Sequence, residues 1–357
     1  MTTDIARRRL LAALALALGG TGIARAAPAP RPPRPPRPPR PLLKPPRLKA
    51  GDWAGLVAPG GAMEDRHIEK SVRNLESLGL KVRLGDNVRL KRGNYGGTPL
   101  QQAQDLHAMF ADREVKAIWA GRGGSGGSAV LPLVDWRLVR ANPKIVCGYS
   151  DVTALHLALQ AKAGLASFHA PQAISTWSDY SREHLVAAIM EAKAPRTIEA
   201  SAENRRRAAA SAEYAERTIR EGVAEGPLTG GNLAVLSALV GTPYAARMKG
   251  ALVFLEEINE APYRVNRMLT QLVQSGDLTG AAGVMLGVFI KCGPPADGEP
   301  SLTLEETLVD KVDPLGVPAA YGLSFGHISH QFTLPLGIRA RFDAAARTVT
   351  MLEAAVT

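Results

Sequence analysis

Short apolar runs alternate with segments of helical periodicity through the first half of this chain. Residues 54–58 read as a strand that stops at Pro59-Gly60-Gly61. Residues 67–78 place Ile68, Val72, Leu75 and Leu78 on one helical face and end at Gly79. A second strand over 80–84, a helix over 100–110 and a third strand over 115–120 continue the alternation. Residues 145–147 begin a fourth strand, which runs into a helix from 152 to about 161. Such alternation predicts parallel βαβ units with helices on both faces. In sheets of that kind, functional groups gather beyond the carboxyl ends of the strands. Three loops hold that position, at 59–62, 121–127 and 148–151.

The second half has a different texture. A polar, alanine-rich stretch over about 177–222, with Asn204-Arg-Arg-Arg207, reads as an exposed helix or hinge. Beyond it, strands are expected over 252–255, 283–290 and 339–342, and a helix over 265–273. The fold class is therefore α/β: an N-terminal parallel-sheet domain of Rossmann or flavodoxin-like type over 51–177, a linker over 178–222, and a smaller C-terminal α/β domain over 223–357. No internal repeat is visible.

The amino terminus changes the picture of charge. Arg7-Arg8-Arg9 precede an apolar run over 10–18, and Ala24-Arg25-Ala26 fits a cleavage site. That is the order of an export signal, over 1–26; the arginines also suit a twin-arginine route. The run falls short of the ~20 apolar residues a spanning helix needs, so no stable membrane span is expected. An exported, periplasmic location follows, or a cytoplasmic one if the leader is not used. Residues 27–50 form a Pro/Arg-rich linker, expected to be extended and solvated. Residues 1–49 hold eleven of the 43 Lys and Arg and one of the 33 acids, which leaves 32 of each in the rest. The formal charge of +10 thus belongs to leader and linker, and a nucleic-acid partner loses its support. Two cysteines, Cys147 and Cys292, are too few for a disulfide scaffold or a Cys-based zinc site. Cys147 lies in an apolar strand and reads as a buried thiol.

Four segments carry candidate chemistry. In Gly148-Tyr-Ser-Asp151 a strand turns directly into a helix with Ser150 at the corner. That turn would expose Oγ and aim the next backbone N–H groups at whatever Oγ attacks; alternatively Ser150 is only an N-cap. Gly121-Arg-Gly-Gly-Ser-Gly-Gly127 contains a formal G-x-G-x-x-G, but it follows the third strand and lacks the acid a dinucleotide fingerprint needs. Such a loop can instead set N–H groups against an oxyanion, or be a plain turn. Glu256, at a strand end in Phe254-Leu-Glu-Glu-Ile-Asn-Glu260, could orient a histidine; an exposed strand terminus is the other reading and suits Glu257 and Glu260. His327 alone among seven histidines follows a Phe-Gly pair, between an apolar run and a polar loop.

Taken together these segments resemble the LD-carboxypeptidase family of serine peptidases, the muramoyl-tetrapeptide carboxypeptidases. The resemblance runs from about residue 51 to about 342. It rests on Val57-Ala-Pro-Gly, Arg122-Gly-Gly, Gly148-Tyr-Ser-Asp-Val-Thr-Ala-Leu-His156, Gly230-Gly-Asn-Leu233, Gly241-Thr-Pro-Tyr244, Leu255-Glu-Glu-Ile-Asn-Glu-Ala-Pro-Tyr-Arg264, Arg267-Met-Leu269 and Phe325-Gly-His327. It implies a Ser-Glu-His triad of Ser150, Glu256 and His327. It implies an oxyanion hole from the backbone N–H groups of Asp151 and of Gly124, or alternatively Gly123. It also implies a swivelling second domain, a site between the domains and a homodimer. Three positions depart from the family's usual residues: Ser125 for tyrosine, Glu257 for aspartate and Asn266 for aspartate.

The resemblance implies release of the terminal D-alanine from a murein tetrapeptide, in peptidoglycan turnover or recycling, with no metal and no cofactor. Arg264 and Asn232 are candidates for holding the free carboxylate. The alternatives are a branch that cleaves peptidyl-nucleotide antibiotics of the microcin type or other acyl-amino-acid amides, and a wall-binding protein without turnover.

Overall fold

A computed structural model describes residues 41–295, 298 and 300–357. The expected export signal, and the linker as far as residue 40, lie outside the described residues. Fourteen strands, numbered along the chain, form two sheets among the described residues. The first comprises β1 (Trp53–Val57), β2 (Lys81–Leu84), β3 (Val115–Ala120), β4 (Ile145–Gly148), β5 (Ser167–His169) and a late strand, β12 (Leu334–Leu336). Their order is β12-β5-β4-β3-β1-β2. The five early strands are mutually parallel, and β12 pairs antiparallel with β5.

Helices at Asp65–Glu76 and Pro99–Ala111 supply the crossovers that parallel strands require. Thr98 caps the second in a reciprocal box with Gln101, followed by proline at the first helical position. From the same helix the buried Gln102 donates to the carbonyls of Ala58 and Gly60, which pins the loop after β1.

The second sheet comprises β6 (Arg196–Ile198), β7 (Arg217–Arg220), β8 (Val223–Asn232), β9 (Leu252–Glu256), β10 (Gly283–Val288), β11 (Ala319–Gly326), β13 (Arg339–Asp343) and β14 (Thr348–Met351). Their order is β6-β14-β13-β8-β9-β10-β11-β7, with β8 to β11 parallel and the outer strands antiparallel. This sheet is the wider of the two. Phe254 and Phe325, fully buried, pack edge to face with ring centroids 5.9 Å apart, and His169 from β5 stacks edge-on against both. The two sheets meet there.

Two expectations about linkers need correction. Residues 41–50 are not a solvated spacer, because they contain Leu42, Leu43 and Leu48, and apolar groups find the core. Leu48 is buried, the Leu43 N–H reaches the Gly164 carbonyl at 2.6 Å, and Arg47 and Pro45 bond the backbone of Thr357. Residues 178–222 are not a hinge alone. They supply a helix at Asp179–Ile189 and the two edge strands β6 and β7, so their backbone groups are spent in the second sheet. No helix among the described residues is long and apolar enough to cross a membrane.

Candidate active site

Ser150 follows β4 at the point where the chain turns into a single 3-10 turn, Ser150–Val152, and then a helix, Thr153–Ala158. Its φ is +64°, a left-handed conformation that a non-glycine residue adopts only under constraint. The constraint is visible. Gln172, nearly buried, donates from Nε2 to the Tyr149 carbonyl at 2.9 Å. The Asp151 carboxylate accepts the Gly127 N–H at 2.9 Å, tying the serine turn to the glycine loop. Burial pushes the Asp151 carboxyl upward, and that N–H partly offsets the shift. The serine is thus held at the corner rather than serving as a cap: among the described residues its Oγ bonds His327 Nε2, not a backbone N–H of the helix.

Two glycines of the loop can be told apart by what surrounds them. A Cβ on Gly123 would lie 2.8 Å from the Ser150 Cβ and 2.9 Å from its Oγ. A Cβ on Gly124, where φ is +112°, would instead strike Gly61 at 2.8 Å. The Gly123 carbonyl accepts the Gly61 N–H at 2.7 Å. In a trans peptide the next N–H points the opposite way, so the Gly124 N–H is turned to the face away from Gly61. The Asp151 N–H lies in the first turn of its helix, where backbone donors lack intrahelical acceptors.

The structure brings Glu256 and His327 to this serine. Glu256 ends β9 and is wholly buried, with Oε2 2.7 Å from His327 Nδ1. His327 Nε2 lies 3.1 Å from Ser150 Oγ. β10 lies between the strands that carry the two residues, and the chain closes that gap at Gly326. A Cβ there would meet the Glu256 Cβ at 3.0 Å and the Val288 carbonyl at 3.1 Å. Only glycine lets β11 curl over the end of β10, and its φ of +114° suits the bend. The Tyr149 ring stacks edge-on against the imidazole, centroids 5.0 Å apart, and fixes its plane.

Charge is arranged along this line. Burial alone would raise the Glu256 carboxyl, but His327, by charge and hydrogen bond, holds it below the ordinary carboxylate range. Burial alone would lower His327, but the Glu256 charge and hydrogen bond carry it above the ordinary histidine value. The arrangement can take a proton from a hydroxyl and hold the resulting imidazolium.

Other expected residues are placed differently. Glu257 is not an exposed terminus. It is buried; its Oε1 accepts from Asn232 Nδ2 and the Ile258 N–H, both at 2.8 Å, and its Oε2 accepts the Ala234 N–H at 2.7 Å. Burial, with help from the neighbouring Glu256 charge, pushes it up to about 7. Its work is to close the start of the helix Leu233–Ala238. Asn232, also buried, caps that helix through Oδ1 to the Val235 N–H and gives one N–H to Glu257, so its side chain is spent mostly on structure. Arg264 is exposed, with Nε 3.0 Å from the Tyr263 hydroxyl and one terminal nitrogen 3.5 Å from Glu260. Neither is a free receptor for a carboxylate. Cys147 and Cys292 are buried free thiols, and burial raises both. Sequence reasoning missed Gln172 and His169. Both lie in His169-Ala-Pro-Gln172, which begins at the last residue of β5, and no spacing rule points to them.

Comparison with known proteins agrees in outline. A family model for the LD-carboxypeptidase N-terminal domain matches residues 54–170, and one for the LD-carboxypeptidase C-terminal domain matches 225–342. The chain is 35% identical over 319 residues to a probable murein peptide carboxypeptidase of Bacillus subtilis, covering 88% of this chain and 95% of that one. It is 30% identical over 291 residues to the murein tetrapeptide carboxypeptidase of Pseudomonas aeruginosa, covering 79% and 90%. Among solved structures, an MccF-like protein from Bacillus anthracis superposes with a TM-score of 0.74 at 26% identity, covering 87% of this chain and all of that one.

Proposed function

This chain belongs to the LD-carboxypeptidase family of serine carboxypeptidases, and on that footing we propose that it releases the terminal D-alanine of murein tetrapeptides through a Ser150–His327–Glu256 triad. The observation that carries the reading is the unbroken line of hydrogen bonds from the buried Glu256 through His327 to Ser150. The proposed role is cell-wall turnover.

The chemistry follows from the positions. His327 Nε2 takes the Ser150 proton as Oγ attacks the scissile carbonyl, and the resulting oxyanion lies against backbone N–H groups. Asp151 supplies one and Gly124 the other; such a donor typically contributes about 2.7–4 kcal/mol. The imidazolium, stabilised by Glu256, gives its proton to the leaving D-alanine amine as the C–N bond breaks. A water then enters, His327 takes its proton, and the acyl-serine ester is hydrolysed. Every proton taken is returned, so no redox partner is required.

Incubation of the purified protein with muramyl tetrapeptide, followed by mass analysis, tests the reading. The expected product is the tripeptide plus free D-alanine. Tetrapeptide bound without release would mean a wall-binding protein. Cleavage of an aminoacyl-nucleotide in place of the tetrapeptide would mean the microcin-immunity branch, which the likeness to the MccF-like protein keeps in view.

Gly123→Ala probes the oxyanion side. The added methyl would stand 2.8 Å from both the Ser150 Cβ and Gln172 Nε2, and the serine must move to admit it. A displacement of ~1 Å at a reacting group costs ~100-fold. We expect kcat to fall by about that factor with KM little changed, measured on the same tetrapeptide, while the thermal melt stays near wild type.

A further inference from the structure

We propose that Ser181 and Asn204 are positioning residues for the base: they hold the loop that carries His327, and so keep its imidazole aligned between Glu256 and Ser150. The inference rests on the reading of His327 as the base. β11 ends at Gly326, one residue before the histidine, so the sheet does not hold the loop that follows. The loop's backbone groups must find their partners elsewhere.

Two of those partners lie in the loop itself. The Ile328 N–H closes a three-residue turn about His327 onto the Gly326 carbonyl at 2.9 Å, and the Phe332 N–H closes the base of the loop onto the Ser324 carbonyl at 2.8 Å. Between these bonds, side chains from the segment after β5 take over. Ser181, wholly buried, donates from Oγ to the Ser329 carbonyl at 2.8 Å and accepts the Gln331 N–H at 2.9 Å. Asn204, buried on the short helix Ala202–Arg207, gives one N–H to the His330 carbonyl at 2.8 Å and the other to Ser324 Oγ at 2.9 Å. Turned over, that amide would set its oxygen against the His330 carbonyl, so the network fixes its orientation. Ser324 Oγ also accepts the Ser201 N–H at 2.9 Å, which ties the short helix to β11.

Alignment of the base depends on this loop. Glu256 is fixed by its strand and Ser150 by its turn, and the imidazole must meet both at once, Nδ1 at 2.7 Å and Nε2 at 3.1 Å. A loop that shifts to keep one contact lengthens the other. Ser181 and Asn204 bond three successive residues of the loop, Ser329 to Gln331, and neither bonds a member of the triad among the described residues. Their effect on chemistry must therefore pass through the place of His327.

Ser181→Ala and Asn204→Leu each remove these bonds without changing charge. Glu256, Glu257, His169 and Tyr149 face the imidazole, and neither substitution alters them. Two measurements form the test: D-alanine release from the tetrapeptide across pH, and NMR titration of the His327 imidazole, which needs no turnover. A displacement of ~1 Å at a reacting group costs ~100-fold, so each variant should lose about that factor in kcat with KM within about threefold. The His327 pKa should fall, because a misaligned imidazole loses the Glu256 charge and hydrogen bond while the opposing effect of burial remains. The acid limb of kcat/KM should move to lower pH with it. A lower melt with kcat and the imidazole pKa unchanged would assign both residues to stability alone and overturn the proposal. A loss of kcat without a fall in that pKa would overturn it as well, since the base would still stand against Glu256. Should one variant fail to fold, the other reads the same loop. If the wild type released no D-alanine, the tetrapeptide reading would fail, and the NMR titration would still decide the positioning.

Discussion

Ser150→Ala should lose D-alanine release almost completely, with kcat down by at least ~10⁴-fold, or about 5.5 kcal/mol of transition-state stabilisation. Among the described residues the hydroxyl has one hydrogen-bond partner, His327 Nε2 at 3.1 Å, so its removal leaves the surrounding hydrogen bonds standing. Gln172 still holds the Tyr149 carbonyl and Asp151 still holds Gly127. The variant should therefore fold, melt near wild type and bind tetrapeptide. Two measurements check this: D-alanine release in single-turnover assays, and intact-protein mass spectrometry for an acyl adduct that wild type forms and the variant cannot. Release at the wild-type rate by Ser150→Ala would remove the triad from the account.

Glu256→Gln should cost about 10³- to 10⁴-fold in kcat, for a reason specific to this pocket. Glu256 is wholly buried, and its Oε1 accepts no hydrogen bond among the described residues. A glutamine keeps the shape but must place its NH2 somewhere. Facing Oε1's position, it is a buried donor without an acceptor, which costs about 1–3 kcal/mol. Facing His327 Nδ1, it forces the tautomer whose proton sits on Nε2, the nitrogen that must accept from serine. Either way the base is compromised.

The same variant should move the acid limb of the pH profile. His327 acts as a base only when neutral, so kcat/KM falls as pH drops through its pKa. In the wild type, Glu256 carries that pKa above the ordinary histidine value against the opposing effect of burial. The wild-type limb is expected above about 6.5. Without the carboxylate charge, burial prevails and the residual activity of Glu256→Gln should persist to lower pH. A limb that stays in place would mean that the two groups are not coupled.

Much of the fold was legible because its signals are local. Runs of buried apolar residues mark β1, β3 and β4, and Ile68, Val72 and Leu75 on one face mark the helix Asp65–Glu76. The strand-to-helix corner at Ser150 was legible for the same reason, since Gly148 and the following helical pattern are neighbours in the chain. Glycine- and proline-broken strands were not. β8 ends in Gly230-Gly231-Asn232 and β12 is Leu-Pro-Leu, and both are strands because partners in the two sheets satisfy their backbone. The assignment of 178–222 as a linker failed likewise, because β6 and β7 are too short to carry a period and exist only as edges of a finished sheet.

At the site the division is sharper. The sequence by itself determined the parallel βαβ order, the exposed corner at Ser150, the glycine loop beside it and, through collinear motifs, which acid and which histidine to pair with it. Tertiary structure alone decided that they meet. Ser150 and His327 are 177 residues apart, and Glu256 and His327 are 71 apart. They converge because one sheet ends against the other and Gly326 lets one strand curl over its neighbour. The packing also gave Glu257 a structural role, burying it against the start of a helix. Burial and pairing depend on what lies across the fold, and no neighbour in the chain carries that information.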